Sequence, residues 1–183
     1  MVIFLMKIES SFCSNRICFD NLLLSDVSSQ YHKWINDNEV TRFTSIFGKT
    51  TEKDLFNYVK KNLNSDNAIL LKMQMIDNNY LHFGNFRVSE INLINKSCDL
   101  ALLIGEKKLW GKGLGGEAIK IITNFIYHKY SIKYFFSFIN INNLASIKIF
   151  KKNNFIETDS KIVKYFKKNT TSKNSKVLYK FID

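Results

Sequence analysis

The chain has 183 residues, 45% of them hydrophobic and 23% charged, which excludes a disordered protein and fits one domain over residues 1–183 with an irregular extension at residues 1–16. The formal net charge of +11 attracts anions, but the lysines are scattered, so nucleic acid is not the predicted partner. No apolar run is long enough to span a membrane, and the opening MVIFLM, in which Met6 is an alternative start, is too short for a secretory signal.

The first half of the chain predicts one strand, two helices and a three-stranded meander. Apolar and aromatic residues at helical spacing indicate the first helix. Thr51, three residues before Asp54, forms a variant of the capping box at the start of the second helix. In chain order, the predicted elements are a strand at 16–24, helices at 25–43 and 50–63, and strands at 68–76, 81–91 and 98–105.

The second half of the chain alternates helices and strands. The predicted elements are a helix at 115–130, a strand at 132–140, a helix at 143–154 capped by Asn142 or Asn143, and strands at 155–166 and 176–183. The buried stripe of the first of these helices is predicted to be Ala118, Ile121, Ile122 and Phe125. The order βααβββαβαββ predicts a mixed α/β fold with a mostly antiparallel central sheet and helices on both faces.

The cysteines indicate the cellular compartment. Cys13, Cys18 and Cys98 form no CxxC pair, and we expect no disulfide among them. This usage fits a reducing cytosol, so the predicted location is cytoplasmic. The spacing also predicts no metal site.

A glycine-rich loop precedes the helix at 115–130. The segment LWGKGLGGEAIKII, residues 109–122, holds four of the seven glycines of the chain. Glycine allows a backbone to approach a ligand closely, and a helix N-terminus favours negative charge, so this loop predicts an anion-binding site. The segment is not a P-loop, because GxxxxGK[ST] is absent. Gly111, Gly113 and Gly116 match GxGxxG only in their letters, because the loop follows a meander and lacks the later acidic residue of a dinucleotide fold.

A second motif lies 30 residues further on. NNLASIKIFKKNNF resembles the terminal helix motif of the GNAT superfamily of acetyl-CoA-dependent N-acetyltransferases, with Asn143, Ser146, Lys152 and Phe155 in the matching places. Asn154 stands where the family has glycine, and asparagine tolerates the left-handed conformation better than most residues. The glycine loop also resembles the family's Q/R-x-x-G-x-G/A motif, with Trp110 at the place of Gln or Arg. The form WGKGxG followed by EAI is similar to the branch that includes ribosomal-protein, polyamine and amino-sugar acetyltransferases.

The resemblance implies acetyl-CoA as the co-substrate and this loop as the site of its pyrophosphate. It also implies that the backbone at the end of the preceding strand binds the pantetheine arm and polarises the thioester carbonyl. Asn143 could contact the cofactor or could serve only as a helix cap. The implied cofactor-binding residues are Leu103, Ile104, Trp110, Gly111, Lys112, Gly113, Leu114, Gly115, Gly116, Asn143 and Ser146.

Acetyl transfer to an amine requires a proton acceptor, because a primary amine is almost wholly protonated at pH 7. Asp99 is the first candidate for the general base and Glu90 the second, although either could be a surface carboxylate. His82 is a third candidate that could equally be structural. The family's frequent general-acid tyrosine falls at Phe150, which cannot donate a proton. Direct attack by the amine requires no enzyme nucleophile.

The acceptor is the least determined part of the function. Tyr31, Trp34, Phe47 and Tyr165 are candidates for its pocket, although core packing explains these aromatic residues equally well. A resemblance to acetyltransferases of surface-polysaccharide pathways implies a nucleotide-linked amino sugar, and the positive charge disfavours a polycation. The alternatives are a ribosomal-protein N-terminus, a polyamine, an aminoglycoside, or a non-catalytic acetyl-CoA-binding module. The expected partner is a small anionic amine, and a homodimer is left open.

Overall fold

A computed structural model describes residues 7–46, 48–158, 160–166 and 174–183. They divide into two units. The first unit comprises the described residues of Met1–Val88 together with Leu102–Leu114, and the second comprises those of Ser89–Ala101 and Gly115–Asp183. Two strands and one helix pass from one unit into the other along the chain.

The first unit contains an antiparallel arrangement of four strands in the order β1-β2-β3-β4. Ile17 pairs with Met75 across β2 and β3, and Ile69 pairs with Val88 across β3 and β4. The register shifts between Met73 and Gln74. The bounds are β1 Phe12–Cys13, β2 Ile17–Asn21, β3 Ile69–Met75 and β4 Leu81–Asn92, which continues into the second unit.

Three helices in the first unit begin at side-chain caps. The single helix predicted at 25–43 is two helices, because the Asp37 carboxylate accepts hydrogen bonds from two backbone N–H groups and starts a new helix there. The predicted capping box of Thr51 and Asp54 is confirmed. The helices are α1 Ser29–Ile35, α2 Asn38–Thr41 and α3 Glu52–Leu63.

A hydrophobic cluster forms the core beneath these helices. Partly buried side chains pack against it, among them Leu103 of the later strand. Burial of such apolar side chains is the main stabilising contribution to a domain of this kind. The cluster consists of Leu22, Tyr31, Trp34, Ile35, Val40, Leu55, Val59 and Leu70.

The strands of the second unit follow the order β4-β5-β6-β8-β7. β5 is parallel to β6, whereas β8 is antiparallel to both β6 and β7. The predicted mixed α/β class with mostly antiparallel strands is therefore confirmed. The bounds are β5 Ser97–Ile104, which ends in the first unit, β6 Tyr134–Asn140, β7 Ile156–Glu157 and β8 Ser175–Phe181.

The helices of the second part of the chain are α4 Leu114–Tyr130, α5 Leu144–Lys152 and α6 Ser160–Tyr165. In α4, Ala118 and Ile122 are buried as predicted, but Ile119 and Ile126 complete the stripe, while Ile121 and Phe125 are only half-buried. The strand predicted at 155–166 is wrong: β7 covers two residues of it, and α6 follows. No helix in the described ranges is long and apolar enough to cross a membrane.

The N-terminal hairpin differs from two expectations. Residues 12–13 of the predicted irregular extension form β1. The expectation that no disulfide forms is wrong for Cys13 and Cys18, which are joined. They are direct partners across β1 and β2, with their Cα atoms 4.1 Å apart, so the hairpin itself brings the two thiols together. Cys98 lies outside this pair and is buried.

Candidate active site

Two glycines of the loop before α4 adopt a backbone conformation that favours glycine. Gly111 and Gly113 have φ angles of +75° and +80°, a region that residues with a Cβ rarely adopt. No atom lies within 4 Å of the place where a Cβ on Gly111 would stand. α4 begins directly afterwards at Leu114 and runs for 17 residues, so its first N–H groups lack intrahelical acceptors. Glycines before a helix N-terminus are an arrangement that favours an anion.

Trp110 links this loop to the strand that precedes it. Its indole Nε1–H donates a hydrogen bond of 2.8 Å to the backbone carbonyl of Ile104, the last residue of β5. The residue is 37% exposed. The only polar atom of the Trp110 side chain thus binds the backbone of the chain, and a cofactor contact by Trp110 stays a prediction.

The end of β5 lies unusually close to β4. A Cβ on Gly84 would overlap the backbone carbonyl oxygen of Leu103 and stand 3.0 Å from the Cα of Ile104. Just beyond, the N–H groups of Gly105 and Glu106 both donate to the carbonyl of Phe83, at 2.9 and 3.1 Å. Leu103 and Ile104, the residues that the resemblance assigns to pantetheine binding, are thus held against a strand that only glycine allows so near.

His82 is held in one tautomer by its neighbours. Its Nε2 lies 2.8 Å from the side-chain oxygen of Asn85 and 3.1 Å from the carbonyl of Gly84. Both of these atoms are acceptors, so Nε2 carries the proton and Nδ1 keeps its lone pair. Burial lowers the pKa of His82 below its ordinary value, which favours the neutral ring at pH 7.

The aromatic residues predicted to line the acceptor pocket differ in burial. Tyr31 and Trp34 are buried, their rings lie 6.2 Å apart, and burial raises the pKa of the Tyr31 phenol. A Cβ on Gly105 would overlap atoms of the Trp34 ring. Phe47 lies outside the described residues, and Tyr165 on α6 is 78% exposed. An acceptor-binding role for these four residues stays a prediction.

A cleft of about 230 Å³ opens beside Trp34 and Gly105. Within it, the Lys107 ammonium contacts Asp37 at 2.8 Å and also Glu39 at 3.0 Å. These hydrogen bonds raise the pKa of Lys107, and the bond from Lys107 lowers the pKa of Asp37. The cleft is lined by Gln30, Lys33, Trp34, Asp37, Gly105, Glu106, Lys107 and Lys108.

The candidate bases lie on β4 and β5. Asp99 is half-buried on β5, with its Oδ1 atom buried, and pairs through its backbone with Phe136 of β6. Glu90 is exposed and has a φ of +49°, which marks an irregularity in β4. Phe150, at the place of the family's tyrosine, is buried with its ring 4.9 Å from that of Phe155.

The terminal helix motif forms the structure that its sequence predicts. Asn143 caps α5, because its side-chain oxygen accepts a hydrogen bond of 3.1 Å from the N–H of Ser146. Asn154 has a φ of +65°, the conformation for which the family uses glycine. The cap accounts for Asn143, and a cofactor contact by Asn143 or Ser146 stays a prediction.

The matching family model is an acetyltransferase (GNAT) domain, which covers residues 16–156. This chain belongs to the GNAT family. An N-acetyltransferase 9-like protein of Caenorhabditis elegans is 25% identical over 137 residues, which are 68% of this chain and 67% of that protein. The family model and this relative together identify the GNAT protein as an acetyl-CoA-dependent N-acetyltransferase.

Solved acetyltransferase structures share the fold at low sequence identity. The ribosomal L7/L12 alpha-N-protein acetyltransferase RimL, in complex with coenzyme A, has a TM-score of 0.76 at 16% identity, with 93% of this chain and 96% of RimL covered. Spermidine N-acetyltransferase from Vibrio cholerae, in complex with CoA and spermine, has a TM-score of 0.74 at 13% identity, with 92% of this chain and 96% of that chain covered. The microcin C7 self-immunity acetyltransferase MccE, in complex with acetyl-CoA and AMP, has a TM-score of 0.74 at 16% identity, with 92% of this chain and 94% of that chain covered.

Among the described residues, no group of three or more His, Cys, Asp or Glu side chains could hold a metal ion. Several features of this GNAT domain were not found from sequence. Gly84 could have been noticed, because an isolated glycine inside a strand pattern indicates a close backbone approach. The contacts of Lys107 with Asp37 and Glu39 carry no sequence signal, since those residues lie about 70 positions away and in other elements.

Proposed function

We propose that this acetyltransferase binds the pyrophosphate of acetyl-CoA on the backbone of residues 110–116 and acetylates a small amino sugar carried on a nucleotide. The cofactor part is supported by the positive φ angles of Gly111 and Gly113 directly before α4. Residues 111–113 are exposed, and the first N–H groups of a helix favour an anion. Acetyl-CoA supplies the activated acetyl thioester.

In the proposed reaction, Asp99 accepts the proton of the acceptor ammonium, directly or through water, and the neutral amine then attacks the thioester carbonyl to form the C–N bond. The C–S bond breaks, CoA leaves as the thiolate, and the second proton of the attacking nitrogen passes through water to that thiolate. A backbone N–H at Leu103 or Ile104 donates to the carbonyl oxygen as negative charge develops there. Glu90 is the second candidate for the base. Asp99 is favoured because its carboxylate is half-buried on β5, four residues before Leu103 on the same strand, whereas Glu90 is exposed.

The cleft beside Gly105 supports an anionic acceptor. Lys107 is already paired with Asp37 and Glu39, but Lys33 and Lys108 make no ion pair within the described part of the chain. Ammonium groups at a cleft bind phosphate as point charges. The net charge of +11 adds long-range attraction for the same class of molecule. These two lysines carry the acceptor proposal.

A ribosomal-protein N-terminus is the second candidate acceptor, favoured by the fold shared with RimL. A polyamine is a third, since a spermidine acetyltransferase has the same fold. The surface-polysaccharide pathway, the cytoplasmic location and a homodimer remain predictions. Aminoglycosides belong in the same acceptor panel.

We expect Gly113→Val to weaken acetyl-CoA binding at least tenfold, which corresponds to about 1.4 kcal/mol. Valine is strained at a φ of +80° and shifts the backbone that the pyrophosphate contacts. Isothermal titration with acetyl-CoA measures the effect, and circular dichroism checks the fold.

Gly48→Val is the matched control, because Gly48 has a φ of +76° and open space around its Cβ position. It imposes similar backbone strain between α2 and α3 and should leave acetyl-CoA affinity unchanged. A folded Gly113→Val protein with wild-type affinity would contradict the assignment of the loop.

We expect the enzyme to acetylate a nucleotide-linked amino sugar faster than spermidine, and we expect added salt to lower kcat/KM for the sugar only. Exposed charges are screened over about 8 Å at physiological ionic strength, so salt weakens the attraction of the phosphates. For spermidine, screening relieves repulsion, and kcat/KM should rise or stay flat. Thiol release from acetyl-CoA at two salt concentrations measures both.

The double variant Lys33→Gln, Lys108→Gln localises this effect. It should lower kcat/KM for the sugar at low salt and reduce its salt dependence. Preference for spermidine at low salt would overturn the anionic acceptor, and acetylation of a ribosomal-protein N-terminal peptide alone would establish the second candidate.

A further inference from the structure

Arg16 reaches the glycine loop from a distant part of the chain. Its guanidinium Nη1 donates a hydrogen bond of 3.1 Å to the backbone carbonyl of Lys112, 96 residues away. Its Nη2 stands 3.8 Å from the place where a Cβ on Gly113 would lie. The guanidinium therefore lies against the peptide that joins Lys112 to Gly113, in the middle of the loop.

The backbone of Arg16 is itself fixed. It closes the hairpin between β1 and β2, in which Ser14 N–H donates to the carbonyl of Ile17 at 2.8 Å and the Ser14 hydroxyl accepts from the N–H groups of Arg16 and Ile17. The carbonyl of Arg16 accepts a hydrogen bond from Ile76 at 3.0 Å. The joined pair Cys13 and Cys18 closes the hairpin behind the turn. The guanidinium thus extends from an anchored position.

The contact with Lys112 determines how the next N–H is directed. In a planar trans peptide, the C=O and the N–H of the same unit point in opposite directions. Because Arg16 holds the carbonyl of Lys112, the N–H of Gly113 points away from the guanidinium. The φ of +80° at Gly113 then carries the chain into α4.

We propose that Arg16 is a positioning residue for the phosphate-binding loop: it fixes the Lys112–Gly113 peptide so that the Gly113 N–H faces the pyrophosphate of acetyl-CoA. This inference rests on the proposed cofactor role of the loop. Arginine suits the task better than lysine, because its planar fork remains charged and presents several N–H donors in a rigid arrangement. Arg16 acts through the backbone and does not touch the cofactor.

Acetyl donors that lack parts of coenzyme A test the proposal. In Arg16→Ala, we expect KM for acetyl-CoA to rise about tenfold, the scale of a lost hydrogen bond from a charged group, with kcat within about twofold. The rise should be equal for 3′-dephospho-acetyl-CoA, which keeps the pyrophosphate. It should vanish for acetyl-pantetheine, which lacks it. Guanidinium ion added to Arg16→Ala should restore part of the affinity for acetyl-CoA. In Arg16→Lys, the affinity for acetyl-CoA should stay below that of the wild type.

Arg42→Ala is the matched control, because it removes an equal charge from an exposed arginine whose guanidinium lies 4.6 Å from the centre of the Phe43 ring. It should leave every KM unchanged. An equal loss with acetyl-pantetheine would overturn the proposal in favour of a general structural role. A loss confined to the donor with the 3′-phosphate would overturn it in favour of direct phosphate binding. If Gly113→Val weakens binding and Arg16→Ala does not, the loop assignment stands and only the role of Arg16 fails.

Discussion

Asp99→Asn is expected to lower kcat/KM for acetyl transfer by roughly 10²–10⁴-fold at neutral pH, the usual contribution of a general base. Asparagine preserves the shape of the side chain on β5 but accepts a proton far less readily. Affinity for acetyl-CoA should stay constant, because in the proposed reaction the carboxylate accepts a proton from the acceptor amine and does not bind the cofactor. Steady-state kinetics with the best acceptor, combined with titration of acetyl-CoA, measures both quantities.

The pH dependence separates this role from a structural one. As pH rises, a larger share of the acceptor is already neutral, so the loss in Asp99→Asn should shrink. Glu90→Gln is the companion variant and should keep near wild-type activity. Full activity in Asp99→Asn together with a large loss in Glu90→Gln would show that Glu90 is the base. Full activity in both variants would show that water or the substrate itself accepts the proton of the acceptor amine.

Gly84→Ala is expected to lower the free energy of unfolding by about 1–3 kcal/mol or more, the range of overpacked core sites. The new Cβ would overlap the Leu103 carbonyl and stand 2.9 Å from the Cε of Met73. The Met73 side chain can move, but the Leu103 carbonyl belongs to the backbone of β5. Thermal unfolding should show a drop in Tm of roughly 2–4 °C for each kcal/mol.

Gly116→Ala provides the control for this substitution. Its added Cβ would stand 3.5 Å from the Asn153 side-chain nitrogen, an ordinary contact, and the position lies in the first turns of α4. Alanine in a helix is more favourable than glycine by up to about 1 kcal/mol, so this variant should unfold at the same or a higher temperature. A Gly84→Ala protein as stable as wild type would mean that β4 and β5 can separate at this point without cost.

Local signals in the sequence predicted local structure well. The capping box of Thr51 and Asp54 and the cap at Asn143 depend on residues three positions apart, so the pattern contains all the interacting groups. The break at Asp37 had a comparable signal, because aspartate is a preferred cap, but the aromatic spacing around it masked the break. Helix α6 was missed because its short SKIVKY sequence has branched apolar residues that favour strands.

Local and distant signals also differ in the candidate site. The motif of α5 lies within one short segment, and its helix and its cap at Asn143 were predicted correctly. The contact of Arg16 with Lys112 joins residues that no local pattern relates. The pairing of Cys13 with Cys18 required the hairpin register, which places them opposite each other. Such contacts depend on how strands and loops meet in space, and spacing along one chain does not encode this.

The two tryptophans of the chain lie in contrasting surroundings, which gives the protein a built-in optical probe. Trp34 is buried against Gly105 in an apolar cluster, whereas Trp110 is partly exposed in the glycine loop. Indole emission shifts to longer wavelength in polar surroundings, and an aqueous quencher reaches only exposed rings. The quenchable, red-shifted part of the fluorescence therefore originates from the loop, and the remaining part originates from the core.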